Sequence, residues 1–244
     1  MDDETPLMKR VTLCLEITLI IFIFACQNNN PEEKNPAVES LIESVSALEI
    51  EQTISDLVDF ETRYPHQKQI EAADYLYKEM KKTIEDTGFH EYEYWGVKWK
   101  NVVGTIKGKR TPEDVVIVCA HFDTKSEKQL VYAPGADDNA SGCAAVMELA
   151  RIFSEHSFGK TVKFVFFSRE STGQDGSKAY VKSLNPEKEN IVAVLNLDMI
   201  AYGSENEDID LVTRPDHKWL VKKIDLLADA YGYNTKPVVK EACY

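Results

Sequence analysis

The sequence predicts an α/β sandwich built on a largely buried sheet, and three observations carry that expectation. Residues 101–106, 115–120, 162–167 and 191–197 are β-branched or aromatic runs of strand length. Apolar residues recur with helical spacing over 45–60 and 70–84, and further helical segments fall at 140–155 and near 217–231. With 244 residues, 43% of them hydrophobic, the chain can bury a substantial core in one globular unit. Strand runs without a polar face, separated by helices, belong to sheets covered on both sides.

The elements follow in order from the amino terminus. Met8-Lys9-Arg10 gives a basic start to an apolar stretch over 11–25, and Ile23-Phe24-Ala25-Cys26 closes it with a small residue before a cysteine. This resembles a bacterial lipoprotein signal peptide: cleavage before Cys26 would leave that residue lipidated, holding the protein to the cell envelope outside the cytoplasm. The alternative is an uncleaved anchor, for which the apolar run after Glu16 is short. A polar tether is expected over 27–44, and a single domain over 45–244. The formal charge of -13 argues against nucleic acid as a partner, since nucleic acid rewards clustered Lys and Arg. Cys119 lies in an apolar run and Cys143 among small residues, so both read as buried thiols. Trp95, Trp99 and the surrounding tyrosines read as core or edge packing.

The chemistry sits where the strand runs end. His121, Glu170 and Asp198 each lie at or just past the carboxyl end of an expected strand, the edge at which open α/β sheets bind ligands. Asp138 stands in Gly135-Ala136-Asp137-Asp138-Asn139, a turn leading into a helix near the same rim. Imidazole and carboxylate together suit zinc. Asp123, two residues after His121, could accept the other imidazole N–H and leave a ring nitrogen lone pair facing a metal. His217 opens the last helical segment and reads as a surface or capping residue. His66, His90 and His156 fall in or beside helices and loops away from these motifs.

His121-Phe122-Asp123, Pro134-Gly135-Ala136-Asp137-Asp138-Asn139-Ala140-Ser141-Gly142, Arg169-Glu170-Ser171 and Asn196-Leu197-Asp198-Met199 together resemble the zinc-dependent aminopeptidase family that also contains the glutaminyl cyclases. The resemblance runs from about residue 60 to the end of the chain. It implies a three-layer sandwich with a mostly parallel mixed sheet, incomplete at its carboxyl end, and peptide substrates with a free N-terminus. It also implies a pair of zinc ions bridged by one Asp. Position by position, His121 and Asp198 would hold one zinc, Asp138 would be the bridge and Glu170 the general base.

Two positions depart from the family pattern. The second Glu of the family's pair aligns with Ser171, a poor zinc ligand, and the family's last metal-binding His belongs to a segment beyond Tyr244. Both would serve the same zinc, so at most one ion is well supported. The expected function is a zinc exopeptidase. The alternative is a degenerate or truncated relative acting as a binding module. A glutaminyl cyclase is disfavoured, because by resemblance its single zinc uses the two departed positions.

Overall fold

The computed structural model describes residues 11–12, 35–203 and 209–240. Cys26, Cys243 and the signal-like segment, apart from Val11 and Thr12, lie outside them. Among the described residues no helix is long and apolar enough to cross a membrane. In chain order the elements are α1 (Pro36–Glu43), α2 (Ala47–Val58), α3 (His66–Lys81), β1 (Thr87–Tyr94), β2 (Val97–Ile106), β3 (Thr111–His121), α4 (Gly142–Ser154), β4 (Lys160–Phe167), α5 (Asp175–Ser183), β5 (Asn190–Asn196), β6 (Ile209–Thr213), α6 (Lys218–Ala230) and β7 (Thr235–Val239). Residues 46–201 form one compact unit, and the residues flanking them on both sides group as a second.

The second unit holds α1, β6, α6 and β7. Helix α1 falls where a polar tether was expected: Asn35 Oδ1 accepts the Ala37 N–H at 2.9 Å, Pro36 opens the helix, and Val38 and Leu41 are buried. Strands β6 and β7 pair in parallel. Helix α6 packs on them through Val221, Ile224, Leu227 and Ala228, which share one face at helical spacing.

The larger unit is a three-layer sandwich. Ser46 starts α2 by accepting the Glu49 N–H at 3.3 Å, and Ile50, Ile54 and Leu57 form its buried stripe. The sheet order is β1-β2-β4-β3-β5, with β1/β2 and β2/β4 antiparallel and β3 parallel to both β4 and β5. The register puts Val102, Gly104, Val116, Val118, Ala120, Val162, Phe164 and Phe166 on one face. Helices α3 and α4 cover that face, with Phe153 of α4 packing its ring on Phe164. The opposite face carries Val115, Ile117, Cys119 and Val165, packed against Tyr180 of α5 with Val103, Phe167 and Leu184 around them. At Gly104 the strand backbone packs directly against Met80 Sδ of α3, which would have to move to admit a Cβ.

Two expectations are revised. The aromatic stretch before the first expected strand is itself β1, joined to β2 through a tight turn in which Trp95 and Gly96 adopt positive φ. Trp99 is buried as expected, whereas Trp95 is 89% exposed and packs no core. Strand β5 is not enclosed: its residues alternate, with Val192 and Val194 exposed. Cys119 and Cys143 are both buried, unpaired thiols.

Because β3, β4 and β5 run in parallel, their carboxyl ends share one edge, with His121 opposite Phe167 and Cys119 opposite Asn196. The core under that edge includes the fully buried rings of Phe122, Phe153, Phe164 and Phe166. Phe164→Ala, at a fully buried ring, is expected to lower unfolding free energy by about 3–5 kcal/mol, read as a shift in the urea midpoint.

Candidate metal centre

His121 ends β3 with its ring almost fully buried. Nδ1 lies 3.1 Å from the Asp123 backbone oxygen, an acceptor that places the ring hydrogen on Nδ1. The carboxylate was the expected partner, but its nearer oxygen is 3.8 Å away. Nε2 therefore turns its lone pair outward, 3.2 Å from Asp138 Oδ1 and 3.5 Å from Asp198 Oδ1. Those three ligand atoms lie within 4.8 Å of one another, although the residues are far apart in sequence.

Two backbone lattices hold the carboxylates. Asp198 follows β5, and the chain after it is tied to the turn that carries Asp138: Ala201 N–H donates to Asp137 Oδ1 at 2.8 Å and Ile200 N–H to Ser141 Oγ at 3.3 Å. Asn139 joins the two segments. Its Nδ2 donates to the Leu197 oxygen at 2.9 Å, while its Oδ1 accepts from Gly142 N–H at 3.0 Å and Met199 N–H at 3.4 Å. A Cβ on Gly142 would stand 2.3 Å from the Leu197 oxygen, so only glycine lets the helix start this close to the β5 end.

The other side of the Asp138 turn hangs on Arg63, which sequence reading did not single out. Its fully buried guanidinium donates to the carbonyls of Phe122 (2.7 Å), Leu57 (2.6 Å), Pro134 (2.7 Å) and Gly135 (3.0 Å). Burial pulls its pKa down to about 10, which leaves it charged at neutral pH. Gly135 adopts φ +55°, and a Cβ there would meet Asp138 O at 2.3 Å and Thr124 Cγ2 at 2.4 Å. No local pattern around Arg63-Tyr64-Pro65 announces this, because the partners are backbone oxygens of distant segments.

Asp123 is fully buried, and its carboxylate accepts the backbone N–H groups of Glu170 (2.8 Å) and Ser171 (3.0 Å). It thus links the His121 strand end to the loop that carries Glu170. Burial raises the Glu170 pKa, with Asp123, Asp198 and Asp138 adding to the rise and His121 opposing it. Hydrogen bonding to His121 lowers the pKa of Asp138. For His121 itself burial favours the neutral ring, but Asp123, Asp138 and Asp198 outweigh it and raise the pKa well above the ordinary 6.5. Of the other histidines, His90 lies in β1 and bonds to Asn101 behind the Glu170 loop, contrary to the remote position expected of it. His217 is exposed, in a short 3-10 turn ahead of α6 in the other unit.

The donor set fits zinc. His121 Nε2 faces two carboxylate oxygens, and imidazole nitrogen and carboxylate oxygen are both ordinary zinc ligands. The Nδ1–H bond fixes the tautomer that leaves Nε2 free.

The chain belongs to peptidase family M28, whose sequence model matches residues 101–243. This is a zinc-dependent peptidase and aminopeptidase family. A probable zinc metalloprotease of Pyrenophora tritici-repentis is 30% identical over 198 residues, covering 70% of this chain and 45% of that protein. A probable aminopeptidase of Saccharomyces cerevisiae is 27% identical, over 84% of this chain and 59% of its own length. The chain spans about half the length of the curated relatives it matches. Among solved structures, the Legionella pneumophila LapA aminopeptidase superposes with a TM-score of 0.72 at 21% identity, over 84% of this chain and 58% of that one. The Tannerella forsythia glutaminyl cyclase gives 0.64 at 22% identity, over 80% and 77%. At these identities the likeness establishes a shared fold.

Replacing Arg63 with Met removes the guanidinium donor from the Leu57, Phe122, Pro134 and Gly135 carbonyls, of which Gly135 keeps the Ala140 N–H, and is expected to cost about 3 kcal/mol or more, measured by urea denaturation. A second expectation concerns pH. In the metal-free protein the folded His121 keeps its proton to higher pH than the unfolded one, so this stabilisation is complete below about 6.5 and is lost as pH rises through the raised folded value. Melting temperature of the metal-free protein should therefore fall above that pH, and His121→Ala should flatten the dependence.

Proposed function

We propose that the chain is a metal-dependent exopeptidase that removes N-terminal residues from peptides, with one zinc held by His121, Asp138 and Asp198 and Glu170 as general base. The observation that carries this reading is the meeting of His121 Nε2 with Asp138 and Asp198 at 3.2 and 3.5 Å, on the rim where Asp123 also holds the Glu170 loop. When bound, zinc supplies Lewis acidity that acidifies a water and polarises a scissile carbonyl.

The protein's own groups supply the rest. Glu170 takes a proton from the attacking water and hands it to the leaving amine, and its raised pKa brings it nearer the operating range such a group needs. Asp123 fixes the loop that carries Glu170, and its carbonyl holds the imidazole tautomer. The acidic rim of Asp138, Glu170 and Asp198 attracts the positive α-ammonium of a free peptide N-terminus. A lipidated Cys26 would keep this activity on the cell envelope.

Ser171 favours a second reading, a relative that keeps the fold and one metal but has lost turnover and serves as a binding module. A hydroxyl at this position contributes little to zinc binding beside a carboxylate.

Elemental analysis of the purified full-length chain, equilibrated with limiting buffered zinc, should give about one zinc per chain, with His121→Ala losing it. Glu170→Gln should keep the zinc and lower hydrolysis of an amino-acyl nitroanilide by ~10²–10⁴-fold. No zinc, or full turnover in Glu170→Gln, would overturn the proposal; zinc without turnover in the wild type would select the second reading.

A further inference from the structure

Glu170 stands in a loop whose two ends close on one side chain. Asn101, in β2, is completely buried. Its Oδ1 accepts the Ser168 N–H at 2.9 Å and the Ser168 hydroxyl at 3.0 Å. Its Nδ2 donates to the Gly176 carbonyl at 2.9 Å and lies 3.1 Å from His90 Nδ1. The backbone partners fix the orientation of the amide, since a backbone N–H can only donate and a carbonyl can only accept. Burial lowers the His90 pKa, which keeps the ring neutral and its Nδ1 able to accept.

Residues 168 and 176 are thereby held together, and the approach is tight: a Cβ on Gly176 would lie 2.3 Å from the Ser168 oxygen and 2.5 Å from Asn101 Oδ1. The hairpin adds ties from the same side. The Tyr92 hydroxyl meets Ser168 Oγ at 2.9 Å. The Arg169 guanidinium lies over the rings of Tyr94 and Trp99, 4.6 and 4.4 Å from their centroids, and pairs with Asp175 at 2.9 Å. Arg169 itself adopts φ +59°, and Gln174 φ +60°, so the loop depends on outside anchors for a conformation that side-chain-bearing residues disfavour.

We infer that Asn101 is a positioning residue for Glu170: its amide closes the 168–176 loop from the sheet side while Asp123 holds it from the metal side, so that the carboxyl is presented to the rim in one place. The inference rests on the reading of Glu170 as general base. Asn101 touches none of the residues that would hold zinc, so its loss should leave metal binding alone and reach catalysis through Glu170. Proton transfer is the step that suffers from a misplaced base, and an ångström of displacement is worth up to ~10²-fold in rate.

The test uses the zinc-loaded full-length chain and compares Asn101→Asp, Asn101→Ser and Glu170→Gln with the wild type. Asn101→Asp keeps the size and the Ser168 contacts but sets an oxygen against the Gly176 carbonyl. It should lower kcat on an amino-acyl nitroanilide by ~10–100-fold, while KM and zinc affinity, read by chelator competition, stay within about threefold. Amide hydrogen exchange should accelerate in peptides spanning 168–176 and remain unchanged over 137–142. A wild-type kcat together with unchanged exchange in that loop would overturn the inference, as would a loss of zinc affinity matching the loss of rate. If Asn101→Asp does not fold, Asn101→Ser, which removes the amide without adding a charge, carries the same comparison with the same expected direction; unchanged exchange and rate there would likewise overturn it. Full activity in Glu170→Gln sinks the general-base reading separately. Should the wild type show no turnover, exchange in 168–176 still decides whether Asn101 holds the loop.

Discussion

The whole site depends on one buried cation. Arg63 carries no part of the proposed chemistry, yet its guanidinium gathers carbonyls from α2, from the segment after His121 and from the turn that leads to Asp138. Those carbonyls lie in the last turn of α2, just past the end of β3 and in the turn before Asp138, and an unpaired buried carbonyl is costly. A planar group with five donors solves the problem in one place, which a lysine could not do. With the carbonyls satisfied, the Gly135 turn can adopt its left-handed conformation close to Thr124, and Asp138 is delivered next to His121. The Asp138 side of the candidate site is thus positioned from beneath by hydrogen bonds to the backbone.

The remaining parts follow the same logic with different residues. Asn139 does for the Asp198 segment what Arg63 does for the Asp138 turn, bridging Leu197, Met199 and Gly142 through one amide. Asp123 does it for the Glu170 loop with a carboxylate that accepts two N–H groups. Three buried polar side chains therefore hold the loops at the carboxyl edge of the parallel strands. A fully satisfied network of this kind specifies one arrangement, which a site built on loops requires.

Much of this could be read from the sequence, and the exceptions have a physical cause. Helices α2, α3 and α4 and strands β3 and β4 announce themselves because their apolar periodicity is what buries them. Strand β1 does not: Thr87-Gly88-Phe89-His90-Glu91-Tyr92-Glu93-Tyr94 alternates polar with aromatic residues at a half-exposed edge. The meeting of His121 with Asp198 was legible because parallel strands must end on one edge, so residues at strand ends gather there without further information, and Asp138 joins them from the turn before α4. Arg63, Asn101 and His90 were not, since each acts on the backbone or side chain of a segment remote in sequence, and a single polar residue in a loop or strand gives no sign of such a partner.

Ser171 shows how the two levels separate. Its backbone N–H is bound by Asp123 as one of the two donors that fix the Glu170 loop, and this bond is indifferent to the side chain. Ser171 is half-buried, and its bond to Asp123 is made by the backbone. The bond from its N–H to Asp123 would therefore survive a change of side chain at this position. The same cannot be said of Asp123, whose carboxylate is committed to two amides, or of Arg63, with four carbonyls in its reach. Substitution at Ser171 leaves its backbone bond to Asp123 available, whereas substitution at Asp123 or Arg63 removes the bonds that hold the loops themselves.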